Sequence, residues 1–86
     1  MLRIVKCVPV LALETLRTRL DQAAKDGTIL EMFCADAMGT RPIRFTVLPP
    51  SENDDGLRTY AGSTRDGYAL NVHLRESGCK INIVET

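Results

Sequence analysis

Along residues 10–26 the apolar positions recur every three or four residues. Leu13, Leu16, Leu20 and the pair Ala23/Ala24 form one stripe, which predicts an amphipathic helix. Arg17, Asp21 and Lys25 follow one another at i,i+4 on the polar side. Gly27 stands where a helix C-cap needs a positive φ. Ahead of the helix, Leu2–Val8 is rich in apolar and β-branched residues and predicts a strand stopped by Pro9.

Residues 28–39 carry two patterns. Thr28 and Glu31 fit a capping box, and Leu30, Phe33, Cys34, Ala37 and Met38 follow helical spacing up to Gly39 and Pro42. That favours a short second helix over residues 29–38. The alternative is a strand with Ile29 and Phe33 on one face and Leu30, Met32 and Cys34 on the other. It requires both faces to be buried.

From Ile43 onward the period is two. Ile43, Phe45 and Val47 alternate with Arg44 and Thr46, and residues 49–56 form a polar loop with three acids. Asp66-Gly67 and Ser77-Gly78 are hairpin signals, so the chain ends in a three-strand meander. Two-residue loops at both turns set Tyr60 opposite His73 and Arg58 opposite Arg75. They also set Arg75 opposite Lys80 and His73 opposite Asn82. Val72 and Leu74 then share a buried face with Ile81 and Ile83. The polar face carries Tyr60, His73 and Asn82 in one row and Arg58, Arg75 and Lys80 in the next. Like charges directly opposite cost roughly 0.2–1 kcal/mol per pair, a cost that a bound anion would remove.

The expected fold is therefore α+β: an N-terminal strand and one long helix, with a short second one at 29–38, packed on a mostly antiparallel sheet. Its expected core is Ile4, Leu13, Leu16, Leu20, Phe33, Phe45, Val47, Val72, Leu74, Ile81 and Ile83. Eighty-six residues make a single domain over 1–86. Eleven basic residues balance eleven acidic ones, which argues against a protein that coats DNA. Four aromatics and no Trp argue against a base-stacking platform. Three widely spaced cysteines (Cys7, Cys34 and Cys79) read as reduced thiols in a cytoplasmic protein, with no zinc spacing and no expected metal or cofactor. The apolar run Cys7–Leu13 contains Pro9 and ends at Glu14 without a cleavage pattern, so neither a signal peptide nor a membrane span is expected.

The chain contains no P-loop, GxGxxG, GxSxG or HExxH pattern. Cys79 falls on the buried face and His73 on the wet one, so a Cys/His nucleophile pair is not expected. The reading that follows is a small non-enzymatic binding protein. It would associate with itself or with a protein partner, and Arg58, Tyr60, His73, Arg75, Lys80 and Asn82 form its binding face. RNA or a small anion is the other ligand that face would suit. The last strand, Cys79–Glu85, reads as an edge open to a second copy. The alternative is a metal-independent ribonuclease. Tyr60 and His73 are acid–base groups, and the three cations would stabilise phosphorane charge. In element order and length the chain resembles the small mRNA-cleaving toxins of bacterial toxin–antitoxin pairs. That resemblance implies RNA as the substrate.

Overall fold

The computed structural model describes residues 1–86. Its elements are β1 (Arg3–Pro9), α1 (Leu13–Asp26), β2 (Leu30–Asp36), β3 (Gly39–Val47), β4 (Ser51–Glu52), β5 (Arg58–Thr64), β6 (Ala69–Arg75) and β7 (Gly78–Glu85). All pairings are antiparallel. The order β3-β2-β1-β7-β6-β5-β4 closes through an additional β3–β5 pairing, so six strands form a barrel and the two-residue β4 lies beside the start of β5. The α+β expectation, a long helix on an open sheet, is thus corrected: one helix of fourteen residues accompanies a closed sheet.

The stretch expected as a second helix is β2, paired along its whole length from Leu30↔Phe45 to Asp36↔Gly39. Met32 and Cys34 enter the core while Glu31 and Phe33 point out. Apolar residues on both sides had imitated a helical stripe. Phe33 is 55% exposed and so is Ile4, and neither belongs to the core. Met32, Cys34, Tyr60, Leu70, Cys7 and Cys79 belong to it instead.

Helix α1 buries Leu16, Leu20 and Ala23 and ends at Gly27, whose φ of 67° lets its N–H reach the Ala23 carbonyl at 2.8 Å. No helix is long and apolar enough to cross a membrane. Inside the barrel, Phe45 and Val47 of β3 meet Val72 and Leu74 of β6 and Ile81 and Ile83 of β7 in one core.

Two seams close the sheet. At β3–β5, Phe45↔Thr64, Thr46↔Ser63 and Val47↔Gly62 are paired. Gly62 is required there, because a Cβ would lie 2.0 Å from the Thr46 carbonyl oxygen. At β1–β2 only Val8↔Ala35 and Pro9↔Cys34 pair. A Cys7–Cys34 disulfide crosses this short seam diagonally, Cα to Cα 5.6 Å. The expectation of three reduced thiols is corrected accordingly, and only Cys79 is free. The two cysteines lie far apart in sequence, and only barrel closure makes their strands neighbours.

A bond joining residues 27 apart removes about 3.5 kcal/mol of unfolded-chain entropy in the loop-closure treatment. Reduction, or the double variant Cys7→Ser/Cys34→Ser, is expected to lower the unfolding free energy by about that amount, read as a fall in the denaturant midpoint. An unchanged midpoint would show that the seam holds without the bond.

Candidate functional site

The β5–β6 turn determines which side of the wall each expected site residue occupies. Its loop has three residues, Arg65-Asp66-Gly67, not two. The Thr64 N–H donates to the Tyr68 carbonyl at 2.8 Å, and Gly67 adopts φ 92°. The register becomes Arg58↔Leu74, Thr59↔His73 and Tyr60↔Val72, one residue from the expected one. Tyr60 and Arg58 therefore turn inward, and the expected Tyr60–His73 and Arg58–Arg75 pairs do not form. The β6–β7 loop is Glu76-Ser77, so His73 faces Lys80, Arg75 faces Gly78, and Asn82 faces Asn71. A two-residue displacement keeps the parity, and His73, Arg75, Lys80 and Asn82 all remain on the outside.

The six expected site residues thus divide into two groups. Arg58 and Tyr60 join the helix to the barrel. The fully buried Tyr60 hydroxyl donates to Asp21 Oδ1, and Arg58 Nη1 donates to Asp21 Oδ2 at 3.1 Å. Arg58 also reaches Glu52 at 3.4 Å. Burial, reinforced by the carboxylate of Asp21, pushes the Tyr60 hydroxyl up to about 12. Residues so engaged inside the wall are unavailable to a ligand on the outer face. Asp21 was visible in the sequence only as a helix-surface acid, with no sign of this contact.

His73, Arg75 and Lys80 line a shallow cleft of about 560 Å³ with Val8 and Leu57. His73 Nδ1 lies 3.4 Å from Thr59 Oγ1, and Arg75 donates to Asp55 at 3.3 Å. Cys79 reaches this cleft from the core side, and burial raises its thiol to about 11, so it stays protonated and unreactive. The cations no longer stand in a row of mutually opposed charges. Another asymmetry takes the place of that row. The outward positions of β1, β7 and β6 are Ile4, Lys6 and Val8, then Lys80, Asn82 and Val84, then Ala69, Asn71, His73 and Arg75. Every charged or titratable side chain among them is basic. Lys6 and Lys80 form no salt bridge, unlike Arg3, Arg41, Arg44, Arg58 and Arg75. Asn82 Oδ1, between Lys6 and Asn71, is buried without a hydrogen-bond partner. Lys6 was missed in the sequence because β1 looked apolar on both faces.

A larger cleft of about 690 Å³ opens at a mouth lined by Arg41, Arg44, Arg65, Asp66, Tyr68 and Glu85. Its charges are largely spoken for: Arg41 pairs with Asp36, Arg44 with Glu31, and Glu85 with Arg3. No three His, Cys, Asp or Glu side chains converge in a metal-binding arrangement. The expected open edge on the last strand is largely covered, since β6 pairs with it from Gly78 to Val84 and β1 from Ile81 to Glu85.

No family model, curated protein or solved structure matches the chain.

The elevated Tyr60 value makes the helix attachment pH-dependent. A folded-state value above the ordinary 10 means that the contribution is complete below pH 10 and is lost as pH rises from 10 through about 12. In a Tyr68→Phe variant, a tyrosinate absorbance titration is expected to show the Tyr60 hydroxyl ionising only near 12, accompanied by loss of stability. Ionisation of Tyr60 at the ordinary value of 10 would contradict its buried contact with Asp21.

Proposed function

We propose that the protein is a non-enzymatic binding module that takes an acidic protein partner on the outer wall formed by β1, β7 and β6. The observation that carries the reading is the one-signed charge of that wall, with Lys6 and Lys80 free of acid partners. Overall neutrality does not oppose it, because recognition depends on how charge is distributed over the surface. His73 is the only ring side chain on those outward positions, which leaves little for bases to stack on and favours protein over RNA. The ribonuclease alternative needs Tyr60 and Arg58 beside His73, and no observation favours it. As to compartment, the Cys7–Cys34 bond supports an oxidising environment over the cytoplasm, because the cytoplasmic expectation rested on reduced thiols.

The test is an amide chemical-shift titration with hexaglutamate at low and high salt. Shifts centred on Lys6, His73, Lys80 and Asn82 are expected at low salt and should vanish at high salt. The double variant Lys6→Gln/Lys80→Gln is expected to weaken binding about tenfold. Absence of shifts at low salt would overturn the reading. A single-stranded oligonucleotide that binds where hexaglutamate does not would replace the protein partner with a nucleic acid.

A further inference from the structure

The barrel is not closed along its full height. Beyond the pairs Val8↔Ala35 and Pro9↔Cys34, no strand lies on the β2 side of β1, while Arg3–Cys7 pairs fully with β7 on the other side. Backbone groups in an antiparallel strand point alternately to its two neighbours. The Val10 N–H donates to the Phe33 carbonyl at 2.9 Å, so the even-numbered residues of β1 turn their backbone toward β2. Ile4 and Lys6 therefore present N–H and C=O groups to the open side. The β2–β3 hairpin turns back at Asp36–Gly39, where β2 would otherwise have continued alongside them.

A second open edge exists on β3, but it is blunted. The Arg65 N–H donates to the Arg44 carbonyl and the Leu48 N–H to the Ala61 carbonyl, so even-numbered residues of β3 face β5. Pro42 shares that parity and has no N–H to offer on the unpaired stretch. The β1 edge carries no such block. Its outward side chains are the apolar Leu2 and Ile4, 66% and 55% exposed, and the unpaired cation Lys6. Its other side borders a hollow of about 320 Å³ lined by Val5, Met38 and Thr40 among others, suited to alternate side chains of an added strand.

We infer that β1 receives an extended segment of the partner as an additional antiparallel strand continuing the line of β2. This inference rests on the proposed acidic partner and names how it binds. From its N-terminus, the segment places an acidic side chain opposite Lys6, then apolar side chains opposite Ile4 and Leu2. Charge complementarity sets the first position, and burial of exposed apolar surface sets the other two. Small residues at the intervening positions face the hollow.

The probe is a short capped peptide alternating threonine with, in order, glutamate, valine and valine. Its control is the same peptide methylated at the backbone nitrogens that would face β1. Amide hydrogen exchange is read on the whole chain with its disulfide intact. The peptide is expected to slow the Ile4 and Lys6 amides about tenfold or more, and the methylated peptide to leave them unchanged. Equal binding of both peptides, or binding of hexaglutamate without the designed peptide, would overturn strand addition while leaving the acidic-partner reading intact. Failure of all three ligands would remove both. Ile4 and Lys6 amides already protected in the free protein, with a dimer in sedimentation, would assign the edge to a second copy and overturn the inference.

Discussion

A closed sheet has one inside, and each strand's phase must agree with both neighbours around the ring. A one-residue shift between two strands would turn an alternate set of side chains to water, and the next seam would no longer fit. Here the three-residue loop Arg65-Asp66-Gly67 sets β5 against β6 so that Tyr60, Val72 and Ile81 share the interior. The same choice puts Thr59, His73 and Lys80 on the outside. The division between helix attachment and outer wall follows from that turn.

Closure in a chain this small leans on local devices at its short seams. Gly62 lets β5 approach the β3 backbone where any Cβ would collide. The Cys7–Cys34 bond spans the seam with the fewest paired residues. Asp21 gathers Tyr60 and Arg58 onto the helix, so the only α element is fixed to the barrel by hydrogen bonds as well as by Leu16 and Leu20. All three devices join segments that lie far apart in sequence.

This explains which parts of the molecule could be read from its residues. The stripe Leu16–Leu20–Ala23 with Gly27 reports a local period, and the helix ends where the pattern ends. Ile43, Phe45 and Val47 alternate because one side of β3 faces the core. Residues 29–38 misled because Phe33, although apolar, lies on the outer surface, and a strand with apolar residues on both faces imitates helical spacing. The turn misled for a different reason: Asp-Gly suits a two-residue loop, and Arg-Asp-Gly suits a three-residue loop with Gly67 left-handed. Tyr60 offered a cue, since it is the largest apolar surface on β5, but the two-residue register set it on the polar face opposite His73. Of the candidate site, His73, Arg75, Lys80 and Asn82 kept their outward phase because the β6–β7 displacement was even. Lys6 and the disulfide became apparent only with closure.

The functional account depends on that phase: a wall of one charge sign beside an unpaired stretch of β1 exists only if His73 and Lys80 lie outside and Tyr60 inside. Inter-strand proton–proton contacts measured by nuclear Overhauser spectroscopy test this most directly. The account predicts backbone contacts for Thr59–His73 and His73–Lys80, with Tyr60 near Val72 and the Asp21 side of the helix. Contacts pairing Tyr60 with His73 and His73 with Asn82 would contradict it.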